Sequence, residues 1–75
     1  MGTTTVPPHV RLVNEIAAQF AHRPPDEAAA EIAAHLRAFW ERRMTTALLA
    51  HVEAGGADLE PVSARAATLL LHERP

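Results

Sequence analysis

Apolar residues recur along this chain at three- and four-residue spacing, and proline and glycine divide the pattern into four segments. In the first, 9–21, Leu12, Val13, Ile16, Ala17 and Phe20 share one face of a helix, while Arg11, Asn14, Glu15 and Gln19 take the other. Pro24 closes it, because a proline pushes the residue before it out of the helical region. The second segment, 25–40, opens with Pro25 at the first helical position and with Asp26 and Glu27 facing the positive helix end. Its stripe is Ala29, Ile32, Ala33, Leu36, Phe39 and Trp40, and Glu31 lies within pairing distance of His35 along the surface. In the third, 42–54, Met44, Leu48 and Val52 form the stripe, widened by Ala47 and Leu49. Gly55 and Gly56 then end the helix, since glycine accepts a left-handed conformation at little cost. The fourth, 61–72, starts at Pro61 with Glu60 as its expected cap, and Val62, Ala66, Leu69 and Leu70 make its stripe.

This pattern predicts an all-α fold, a small helical bundle of three to four short helices. Residues 1–8 are expected to form a flexible N-terminal tail, 9–72 a single helical domain and 73–75 the C-terminal end. The short links suit antiparallel neighbours. No proline or glycine stands between Trp40 and Met44, so helices two and three could run together; a break or kink is placed after Trp40.

Composition sharpens this picture. Alanine is abundant, and Phe20, Phe39 and Trp40 are the only aromatics, which favours helix over strand. A chain of 75 residues buries only about 60% of its unfolded surface, so its own core gives modest stability. Cysteine is absent, which excludes disulfides and thiolate metal sites. A partner that covers leftover apolar surface is then the expected source of further stability. The charged residues are seven arginines, no lysine and nine acids, for a net charge of -2. That balance argues against nucleic acid, which needs a basic footprint. No apolar run approaches the ~18 residues of a membrane span, and residues 1–6 lack the basic and apolar regions of a signal peptide. A cytoplasmic location is expected.

Candidate chemistry is sparse. The five histidines, His9, His22, His35, His51 and His72, never stand four apart as a helical zinc pair requires, so they are read as surface or boundary residues. Asp26, Glu27, Asp58 and Glu60 sit where acids stabilise helix starts, and no apolar pocket is evident to turn one into a general acid. Ser63 is the only serine and has no histidine placed to activate it. Gly55-Gly56-Ala57 lacks the strand and lysine of a phosphate loop. No catalytic, cofactor-binding or metal-binding residue is therefore expected. The segment 39–44 stands apart, with two aromatics, two arginines and a methionine in six residues. Trp, Arg and Met are enriched at protein interfaces. Phe39 is assigned to the core, and Trp40, Arg42, Arg43 and Met44 to a protein interface.

The run His35-Leu-Arg-Ala-Phe-Trp-Glu-Arg-Arg-Met44, followed by Leu48-Leu49, Gly55-Gly56 and Leu59-x-Pro61, resembles the delta subunit of the soluble, NAD-dependent, molybdenum-containing formate dehydrogenases. The opening helix, Arg11-Leu-Val-Asn-Glu-Ile-Ala-Ala-Gln-Phe20, resembles that family's start, and the likeness covers about 9–66. The chain departs from the family at Arg42, where a proline is common, and at Val13, where a small residue is usual. The resemblance implies an accessory subunit that carries no cofactor. In such complexes the alpha subunit holds a molybdenum or tungsten pterin and iron–sulfur clusters and oxidises formate to carbon dioxide. Beta and gamma subunits pass electrons through FMN to NAD. The implied role here is docking chiefly on the alpha subunit, to assemble or stabilise the complex. The alternative is a stand-alone helical binding module or homodimer unrelated to that enzyme.

Overall fold

The structure, a computed structural model, describes residues 6–73. The expected N-terminal tail therefore lies outside the described residues over 1–5, as do 74 and 75 at the other end. Four helices follow in order, α1 (Pro8–Gln19), α2 (Pro25–Phe39), α3 (Arg42–Glu53) and α4 (Pro61–His72), with no strand among the described residues. The Cα radius of gyration is 11.8 Å, close to the ~11 Å of a compact domain of this length.

Each helix starts at a proline or at an extended residue, and none has a side-chain cap. Prolines at the first position of α1, α2 and α4 lose nothing there, because the first amides have no partner within the helix. Glu60, expected to cap α4 with its carboxylate, occupies the cap position without doing so. Its backbone N–H instead donates to Asn14 Oδ1 at 2.9 Å. α3 ends as expected on glycine: the Gly56 N–H returns to His51 O at 2.9 Å, with Gly55 and Gly56 both at positive φ. Between α2 and α3 the chain breaks sharply, and both Trp40 and Glu41 are extended. Two residues without proline or glycine thus form the link.

The core is built from Val13 and Ala17 of α1, Ala29, Ile32, Ala33 and Leu36 of α2, Leu48 and Leu49 of α3, and Ala66, Ala67 and Leu70 of α4. Five of these eleven side chains are alanines, which lets helix backbones approach closely. α4 is the hub, touching each of the other three helices, and its contact with α2 is the most extensive in the molecule. Two ion pairs fix its direction. Asp26 at the start of α2 meets Arg65 near the start of α4, and Arg37 in the last turn of α2 meets Glu73 just past α4. α2 and α4 are therefore parallel, whereas α2 and α3, adjacent in sequence, barely touch. The short link after Phe39 sends α3 away from its predecessor, so antiparallel neighbours are not the rule throughout this bundle.

Two large apolar residues assigned to stripes are exposed. Phe39 is 75% exposed. α2 ends at this residue, α3 leaves in another direction, and the His35 ring, one turn back, lies with its centroid 4.9 Å from that of Phe39. Leu69 is 39% exposed. It sits one turn from Arg65 and one turn from Glu73, along the outer edge of the α2–α4 seam where both arms of the ion pairs cross. The interior takes Ser63 in addition, whose hydroxyl donates to Val13 O at 3.4 Å.

Candidate protein-docking site

The break after Phe39 determines where the four proposed interface residues point. Trp40, turned out of the helix by its extended backbone, packs half-buried against the core rather than continuing the α2 stripe. It lines an open groove of about 600 Å³ between the end of α2, the start of α3 and the end of α4. Leu36, Leu49 and Leu70, one from each of these helices and all buried, form the floor. Trp40, Thr45 and Thr46 stand at the walls, and Arg37 and Arg42 at the rim. The groove exists because α2 and α3 diverge: a helix pair that packed along its length would have closed it.

The interface block is thus split. Trp40 and Arg42 share the groove, whereas Arg43 points to solvent and Met44 is half-buried on another side of α3. Helical geometry causes the split, since residues one and two positions after Arg42 are rotated away from it. Phe39, placed in the core by its spacing, belongs instead to the exposed surface beside this block. Spacing alone could not reveal this, because it says which residues share a face and not whether another helix reaches that end of α2.

Rim electrostatics are asymmetric. Arg37 donates two hydrogen bonds to the Glu73 carboxylate, from Nε at 3.0 Å and from an Nη at 2.8 Å, a bidentate fork. Arg42 and Arg43 have no ion-pair partner among the described residues. Among the described residues no acid lines the groove itself. Glu31 does not take His35 as a partner: it pairs with Arg23 across the α1–α2 link.

The other polar groups bind the scaffold together. Asn14 clasps the α3–α4 link from both sides, donating to Asp58 O at 2.9 Å and accepting from the Glu60 N–H. His51 reaches Ala57 O in the same link at 2.6 Å through Nε2. The His9 ring meets the His51 ring edge-on at 5.9 Å. Burial and the neighbouring His51 lower the His9 pKa below its usual 6.5. Among the described residues no three of His, Asp and Glu converge as metal ligands. No helix among them is long and apolar enough to cross a membrane. Two smaller hollows, of about 260 and 240 Å³, run along the far end of α1 and are lined mainly by Ala17, Ala18, Ala21, Phe20 and Val62.

Residues 10–67 match the family described as NADH-dependent formate dehydrogenase delta subunit FdsD. That span runs from early in α1 to the middle of α4, and so takes in all of the core but Leu70, and the groove's α2 and α3 walls. No curated protein and no solved structure matches the chain. The chain therefore belongs to the formate dehydrogenase delta subunit family.

Proposed function

We propose that this chain is a non-catalytic accessory subunit of a cytoplasmic NAD-dependent formate dehydrogenase, docked chiefly on the catalytic alpha subunit with beta and gamma subunits in the same complex. It stabilises or helps assemble that complex, and the molybdenum or tungsten pterin, the iron–sulfur clusters and the FMN reside on other subunits. Family membership over 10–67 carries this reading. The docking surface is centred on Trp40 and Arg42, with Arg43 and Met44 on its flanks. A half-buried tryptophan beside an arginine that has no ion-pair partner among the described residues, over a leucine floor, supports it, because Trp and Arg dominate binding energy at interfaces.

Trp40→Ala is expected to loosen the complex by about 2 kcal/mol, roughly thirty-fold in Kd. Isothermal titration against the remaining subunits measures it. A melt of the isolated variant checks that lost packing on the core is not the whole effect. Complex purified from cells lacking this chain is expected to be incomplete or to fall apart on sizing columns. Normal assembly and normal stability without it would count against the proposal. A well-folded, stable homodimer on sedimentation would favour the alternative, a self-sufficient binding module.

A further inference from the structure

We infer that the groove between α2, α3 and α4 seats an acidic–aliphatic segment from another subunit of the same complex, with its carboxylate on Arg42 and its aliphatic side chain under Trp40. This rests on the accessory-subunit reading and adds to it the chemistry of the partner. Three observations select that chemistry. The floor offers only methyl and methylene groups, from Leu36, Leu49 and Leu70, so a polar side chain placed there would lose its hydrogen bonds to water without replacement. At the rim the Arg37 guanidinium is neutralised by Glu73, while that of Arg42 has no acid on it among the described residues, so the net positive charge sits at Arg42 and favours an acidic segment over a basic one.

The third observation is the state of the two rim arginines. Arg37 already holds a carboxylate, that of Glu73, in a two-armed fork, and this chain thereby shows what its own rim accepts. Arg42 has the same capacity and no such partner among the described residues. The volume, about 600 Å³, accommodates a short cluster of side chains rather than one alone. Trp40, half-buried against the core, supplies a fixed aromatic edge that a partner side chain covers without ordering new structure.

The test uses the assembled four-subunit complex. A photo-reactive amino acid replaces Thr46, on the groove wall, and the cross-linked peptide is identified by mass spectrometry. The expected capture is a segment of another subunit in which Asp or Glu stands within a few residues of Leu, Ile, Val or Met. In parallel, Arg42→Glu is expected to raise Kd for the remaining subunits about tenfold or more at about 0.1 M salt, with the gap narrowing as salt rises. Arg42→Lys, which keeps the charge and loses the fork, is expected to fall between the wild type and Arg42→Glu. Arg11→Glu, the same charge change on the exposed face of α1, is expected to leave Kd within about twofold. Capture of a basic segment or of a second copy of this chain overturns the inference, as does wild-type affinity for Arg42→Glu. In each of those cases the chain still co-purifies with the complex and the accessory-subunit reading stands. If the unaltered chain does not bind the other subunits at all, both fall.

Discussion

Asn14 is one polar residue with two long-range duties. It sits in the middle of α1, and its side-chain amide supplies both a donor and an acceptor to the α3–α4 link. That link contains Asp58 at φ 67, a left-handed conformation that a non-glycine residue holds only when its surroundings fix it. Asn14→Ala removes both hydrogen bonds and is expected to cost about 1–2 kcal/mol, read as a lower urea midpoint with an unchanged slope. His9 gives a pH signature. Its pKa in the folded chain is lowered, first by burial and then by His51, so the unfolded chain binds more protons below the ordinary value of 6.5. Stability is therefore fully present above about 6.5 and declines as pH falls through that value toward the folded pKa. Replacing His9 with Gln is expected to flatten thermal melts over that range. Neither residue stood out by type in the sequence. Asn14 read as a polar-face residue and His9 as one of five scattered histidines, because their partners lie more than forty positions away.

At the scale of elements, the periodicity located all four helices to within one or two residues at most ends, since proline, glycine and apolar spacing are local signals. What it could not carry was direction and partnership. The parallel α2–α4 pair rests on alanines and on ion pairs between residues 39 and 36 positions apart. Ala29 and Ala33 lie on the same side of α2 as Asp26 and Arg37, and so face α4. Ala33→Leu is expected to force the two helices apart, at about 1–3 kcal/mol, measured by denaturant unfolding. The exposure of Phe39 and Leu69 follows from the same limit: a stripe says which residues share a face, not whether anything comes to cover it. The start of α3 permits a sharper comparison. Arg42 occupies the first helical position, and Glu41 before it is extended, with ψ 149, as a following proline requires. Arg42→Pro, which restores the residue common in the family, is expected to leave the isolated domain as stable or more so, by up to about 1 kcal/mol. Its melting temperature should hold while affinity for the other subunits falls, separating folding from docking.

For the whole molecule, small side chains dominate the core and give a compact bundle whose large exposed apolar residues are few. The expectation of a chain that depends on company narrows accordingly, from a diffuse surplus of apolar surface to one groove and one protruding ring, Phe39. On its own the chain is expected to melt cooperatively at a modest temperature. The midpoint should climb with the concentration of the other subunits, as mass action demands of any ligand that prefers the folded form. A midpoint indifferent to them would contradict docking of any kind.

Because α4 makes the most extensive contact in the bundle and also meets α1 and α3, losing it removes the largest share of the packing. Without α4, α1 still meets α2 and α3, but α2 loses its main neighbour, and α2 and α3 scarcely meet each other. A fragment ending at 58 should accordingly show little helix by circular dichroism, since short helices without tertiary packing are marginal in water. The bundle then forms as one unit once 61–72 is in place, and no smaller piece of it is expected to stand alone.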